Sequence, residues 1–256
     1  MDRRTFHLTL LAAASPIVHA RRKPPAAAID AIARIKSLRI TTGPLTDGYR
    51  IAPGGRLNWY FTNLGLIAIV QFLNADELDL YIRRYLDLYF HRLESNATIQ
   101  DVLFNDASMQ SITLAPSDSD NSYASTLISL AVRYLRASGN WDWWNSHQDT
   151  LRTIIQANVV TQIKSNGLCR VFQPPRTSAI SEYGFTMNNC EDYRGLRDFS
   201  TLLNLRGQTA EAAVYLDIAH RLGQAINNSY RDWETDRKST RLNSSHLKLS
   251  RMPSSA

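Results

Sequence analysis

Apolar residues recur along this chain at helical spacing, in blocks of two alternating kinds. The stretch Leu57–Phe72 is apolar nearly all round, with Trp59, Tyr60, Phe61, Leu64, Leu66, Ile67, Ile69 and Val70 covering most of a helix circumference. A helix of that kind is buried. Ala75–Leu93 places Leu78, Tyr81, Ile82, Tyr85, Leu86 and Tyr89 on one face and Arg83, Arg84 and Asp87 opposite, the pattern of a surface helix. The alternation repeats. Ser122–Arg136 reads as buried and Trp141–Gln162 as amphipathic; Cys190–Leu205 reads as buried and Gln208–Tyr230 as amphipathic. A short helix, about Ile29–Leu38, precedes them. Thr41–Gly55, Ser95–Pro116 and Asn166–Asn189 carry Gly, Pro, Asn and Asp and read as connections. The last two are long, and long loops in compact domains are often functional. Buried-type helices begin near Trp59, Ser122 and Cys190, roughly 63 and 68 residues apart, too far for solenoid repeats of ~34 to ~47 residues. The expectation is an all-α chain of helical hairpins, with buried inner and amphipathic outer helices in two layers.

The two ends stand apart from this pattern. Asp2-Arg3-Arg4-Thr5-Phe6-His7-Leu8 resembles a bacterial twin-arginine signal, followed by an apolar run from Leu8 to Val18 and a small-residue cleavage site at Val18-His19-Ala20. The run is shorter than the ~20 residues that span a bilayer. Residues 1–20 are therefore expected to direct export, giving a periplasmic or secreted product with no membrane span in the mature chain. At the other end, Asp236–His246 and Ser250–Ala256 resemble the in-frame translation of a common sequencing adapter, separated by Leu247-Lys248-Leu249. Residues 236–256 are expected to be an artefactual, disordered tail, and residues 21–235 a truncated domain.

This tail changes the charge picture. Arg237, Lys238, Arg241, Lys248 and Arg251 against Asp236 supply +4 of the chain's formal +6. The body is nearly neutral and carries no basic stripe, which argues against a nucleic-acid partner. Cys169 and Cys190 are the only cysteines. In an oxidising compartment they are free either to pair or to remain thiols. No nucleophile elbow, phosphate-binding glycine loop or zinc-ligand spacing occurs, so no metal or cofactor is expected.

Polar chemistry gathers where the apolar helices begin. Ser117-Asp118-Ser119-Asp120-Asn121-Ser122-Tyr123 runs into one such helix, and Tyr183-Gly184-Phe185-Thr186-Met187-Asn188-Asn189-Cys190-Glu191-Asp192 into another. Together with Asp47-Gly48-Tyr49-Arg50 and Leu57-Asn58-Trp59-Tyr60-Phe61-Thr62-Asn63, these segments resemble the six-hairpin, (α/α)6-toroid glycosidase-like proteins. The resemblance spans about Asp47–Trp233. It implies an incomplete (α/α)6 toroid, with about seven of twelve helices present, and a central cleft for a carbohydrate ligand.

Glycoside hydrolysis usually uses two carboxyl groups, one as acid and one as base or nucleophile. The resemblance implies Asp118, Asp120, Glu191 and Asp192 as catalytic candidates. Trp59, Tyr60, Tyr123 and Tyr183 would stack on sugar faces, and Asn63, Asn188 and Asn189 would bond hydroxyls. Blander roles compete at each position. Asp120 and Asp118 suit a helix cap or turn, Glu191 and Asp192 suit the positive end of a helix dipole, and Trp59 and Tyr60 suit a core. Function therefore reads first as a hydrolase. The alternatives are a non-catalytic carbohydrate-binding or envelope protein on the same scaffold, or a polysaccharide lyase or epimerase.

Overall fold

The structure, a computed structural model, describes residues 22–176 and 178–249, beyond residue 229 as backbone alone. It is mostly helical. Helix α1 (Ala26–Ser37) leads to α2 (Trp59–Ile69), which tightens into a 3₁₀ turn at Val70–Phe72. Next come α3 (Ala75–Leu78), a π turn (Asp79–Arg83) and α4 (Arg84–His91), in effect one surface helix with a bulge. Strands β1 (Asp101–Phe104) and β2 (Ile112–Ala115) form an antiparallel hairpin. Then follow α5 (Asp120–Ser138), α6 (Trp141–Asn158) with a 3₁₀ turn at Val160–Gln162, α7 (Thr186–Leu205) and α8 (Thr209–Leu249).

The division into buried and surface helices follows the apolar pattern at α5 but not at α2, which was expected to be buried nearly all round and instead exposes Phe61 (54%) and Leu64 (37%). On α5 every residue from Asp120 to Val132 is buried, and Leu127, Ile128, Leu130 and Ala131 are sealed completely. Helix α5 packs against α2 on one side and α7 on the other. The approach of α7 is close because Gly195 has no side chain: a Cβ there would lie 3.0 Å from both Cα and O of Ser125. The surface helices are tied on by their apolar faces and by capping. Asn74 and Glu77 form a reciprocal capping box at the start of α3, satisfying two otherwise orphaned donors. Asn140 caps α6 through the Trp143 N–H, after Gly139 closes α5 in the left-handed conformation (φ 66°).

Two further expectations need correction. The connection Ser95–Pro116 contains the β hairpin, whose strands of four residues are too short to announce themselves by periodicity. Helix α7 begins at Thr186, a full turn before Cys190: the backbone N–H of Asn189 donates to the Phe185 carbonyl (3.0 Å), the i to i−4 bond of a helix. Helix α8 runs as helical backbone to Leu249, and no glycine or proline interrupts the chain between Gly223 and Pro253. The export signal and residues 250–256 lie outside the described residues. Cys169 is buried and Cys190 exposed, both as free thiols, so the two do not pair. No helix among the described residues is long and apolar enough to cross a membrane.

Candidate functional site

The N-terminal ends of α2, α5 and α7 meet, and their polar residues form one connected set. Pairing between Leu57 and Val102 begins it: each N–H donates to the other's carbonyl at 3.0 Å. This antiparallel bridge sets Asn58 beside Asp101. The Asn58 Nδ2 then donates to Asp101 Oδ2 (2.7 Å) and to the Tyr123 hydroxyl (2.7 Å), and the Tyr123 hydroxyl donates to the Asp101 carboxylate at 3.1 Å. Asn58 also caps α2 by accepting from the Phe61 N–H. Burial holds the Asp101 carboxyl above its ordinary range, opposed by the bonds from Asn58 and Tyr123.

Tyr60 carries the set from α2 to α7. Its ring stacks on Tyr123 with centroids 5.9 Å apart, and its hydroxyl donates to Glu191 Oε1 at 2.6 Å. The other Glu191 oxygen, Oε2, is buried and has no hydrogen-bond partner among the described residues. Burial, then the Glu191 bond, push the Tyr60 phenol well above its usual value, so it stays a donor. Asp118 lies on the open side, with a side chain 68% exposed and 4.0 Å from the Arg56 guanidinium. Its charge acts on the Tyr123 phenol, second to Asp101 among the charges that raise it.

Asp192 and Asp120 sit deeper. Asn121 and Ser125, one turn apart on α5, grip Asp192 from one face: Asn121 Nδ2 donates to Oδ2 (2.7 Å) and Ser125 Oγ to Oδ1 (2.6 Å). Asn188, one turn before Asp192 on α7, donates to Asn121 Oδ1 at 3.3 Å. Complete burial pushes the Asp192 carboxyl up to about 7, even with those bonds favouring the anion. Asp120 accepts from the Gln173 N–H (2.9 Å), Ser117 Oγ (3.1 Å) and Arg176 Nη1 (3.2 Å). It anchors the segment 171–176 to the start of α5, and burial raises its carboxyl as well.

These positions sort the sequence-derived residues. Tyr60, Tyr123 and Glu191 are joined by the ring stack and the hydrogen bond, with exposed Asp118 linked to them through its charge on the Tyr123 phenol. Tyr123 itself is buried (2% exposed) and so, against expectation, is no sugar platform. Asp120 and Asp192 are buried anchors, and neither presents a free oxygen to a ligand. Asp120 is not the helix cap, since its carboxylate is spent on the 171–176 segment. Glu191 and Asp192 stand in the second turn of α7, so the dipole reading loses its geometry. Trp59 is no platform: it is fully buried, its Nε1–H bound to the Gln100 carbonyl at 2.7 Å and its ring edge-on to Tyr89. Asn63 is also core, accepting from the Tyr85 hydroxyl (2.7 Å) and donating to Thr126 Oγ1 (3.0 Å). Asn189 is sealed while bonding the Cys169 backbone at both ends of its amide. Asn188 is buried against Asn121. Tyr183 stands exposed, in edge contact with the exposed Phe185.

Arg56, Asp101, Ser125, Gln173 and Arg176 of the set escaped the sequence reading, and Asn58 entered it only within a longer segment. Asp101 had one signal, a carboxylate leading the apolar run Val102-Leu103-Phe104. Among the described residues no group of three or more His, Cys, Asp or Glu side chains is placed to hold a metal ion. No protein-family model matches the chain, and no curated protein is similar to it at a significant level.

Proposed function

We propose that this chain is a glycoside hydrolase-like, carbohydrate-active protein built as an open (α/α) toroid and working in the periplasm or as a secreted protein. The observation that supports it most is the link from Glu191 through Tyr60 to Tyr123 across the starts of α7, α2 and α5, with the exposed carboxylate of Asp118 acting on the Tyr123 phenol. In this reading Asp118, open to water, is the charged carboxylate that acts as base or nucleophile. Glu191, held at Oε1 by the Tyr60 hydroxyl and unpartnered at Oε2, is assigned as its acid counterpart. Tyr60 orients Glu191 by holding Oε1. Asp101, Asp120 and Asp192 serve as positioning residues, fixing Tyr123, the 171–176 segment and the α5–α7 contact.

A second reading, carbohydrate binding without turnover, draws on the exposed, edge-to-face Tyr183–Phe185 pair, which offers aromatic surface to a sugar. One experiment separates the two. The full chain is incubated with a panel of oligosaccharides and aryl glycosides, and new reducing ends are measured alongside binding on a glycan array. New reducing ends support the hydrolase, and binding alone supports the second reading. Neither would remove both.

A further inference from the structure

At the opposite end of α5, roughly 20 Å along the helix from Ser122, lies a hollow of about 760 Å³. This volume falls within the range of small-molecule sites. Its floor is apolar, from Val70, Leu73, Leu78 and Ala137, and its wall carries Arg22, Arg133 and Arg136 against one carboxylate, Asp79. That carboxylate is already neutralised. Arg83 Nε lies 2.5 Å from one Asp79 oxygen and Arg84 Nε 3.3 Å from the other.

The other polar groups of the wall have partners. Tyr134 Oη accepts from Asn140 Nδ2 (2.9 Å), and Arg22 Nη1 donates to Gln71 Oε1 (3.2 Å). Arg133 is different. Its Nε is buried without a hydrogen-bond partner, and no ion pair holds its guanidinium among the described residues. The nearest carboxylate on the packed helix α7, Asp198, is taken by Arg194 at 3.0 Å. Burial, followed by the neighbouring Arg194 and Arg136 charges, disfavours the Arg133 cation, and Asp198 only partly offsets this. The negative end of the α5 dipole accounts for Arg136 in the last turn, but Arg133 stands more than a turn before the helix end. A half-buried cation without an acid, at the edge of an apolar hollow, is a costly arrangement until an anion completes it. The π turn that begins at Asp79 adds to this, since such turns gather at functional sites.

We propose that this hollow binds a small molecule bearing an oxyanion, its carboxylate or phosphoryl group on Arg133 and Arg22 and its carbon body on the apolar floor. The site is separate from the candidate functional site and does not depend on the proposed function. Calorimetric titration of the full chain with inorganic phosphate and with citrate, at constant ionic strength against a chloride blank, tests it. Saturable binding of either is expected, weakened about tenfold or more in Arg133→Gln. In Arg22→Gln, whose side chain is exposed and so safe for folding, a loss of about threefold is expected. Preference for phosphate or for citrate assigns the phosphoryl or the carboxylate class. No binding above the chloride blank overturns the proposal, as does wild-type affinity in both the Arg22 variant and a folded Arg133 variant.

Discussion

The Tyr60 hydroxyl donates a 2.6 Å hydrogen bond to Glu191 across 131 positions of sequence, joining α2 to α7 in the candidate site. It leaves one Glu191 oxygen fixed and the other without a partner, so the two oxygens are not equivalent. Tyr60→Phe should therefore lower kcat far more than it raises KM, by about 10- to 100-fold if Tyr60 orients the acid. Its effect on stability should stay near 1 kcal/mol, the usual net worth of one hydrogen bond. Steady-state kinetics beside urea melts would test this, and an unchanged kcat would remove Tyr60 from the machinery.

Asp192 sets a pH signature. Its folded carboxyl titrates at about 7, above the ~3.9 of an unfolded aspartate. Between those values the folded state holds more protons than the unfolded one. Its contribution to stability is thus fully present below about pH 4 and is lost as the pH rises towards 7, at a slope of at most about 1.4 kcal/mol per pH unit. The difference between wild type and Asp192→Asn, measured by denaturant melts from pH 4 to 8, should show that slope. A pH-independent difference would contradict the burial argument.

Helix approach at Gly195 is tight enough to forbid a methyl group. A Cβ would meet backbone atoms of Ser125 at 3.0 Å, and backbone cannot swing aside as a side chain does. Gly195→Ala should destabilise the fold by roughly 1–3 kcal/mol, despite alanine's better helix propensity. A rise in Tm would show that α5 and α7 are further apart.

Trp59 separates core from platform. Trp59→Phe removes the bond to the Gln100 carbonyl and leaves space in a sealed site, so stability should fall by roughly 1–3 kcal/mol with sugar affinity unchanged. A folded variant that loses affinity alone would restore Trp59 to the ligand.

What could be read in the sequence was whatever a local period encodes. The buried circumference of α5 and the amphipathic face of α3–α4 are visible in residue order because each is longer than several turns. The crowding of polar residues before α5 and within the start of α7 also marked the site. The partners within it were not legible. Asn58 meets Asp101 only through the bridge between Leu57 and Val102, and Tyr60 meets Glu191 only when two distant helices close. The same long-range packing reassigned Trp59, Asn63 and Asn189. Their side chains suit a sugar site in composition, and only the placement of Gln100, Tyr85 and Cys169 turns them inward.

The pair Asp118 and Glu191 carries the central claim. The measurement that tests it most directly is reducing-end release by Asp118→Asn and Glu191→Gln, each checked for an unchanged far-ultraviolet spectrum and melting temperature. Both variants should lose at least about 100-fold in kcat while keeping the fold. Full turnover in both folded variants would show that these two carboxylates do not share the acid and base work.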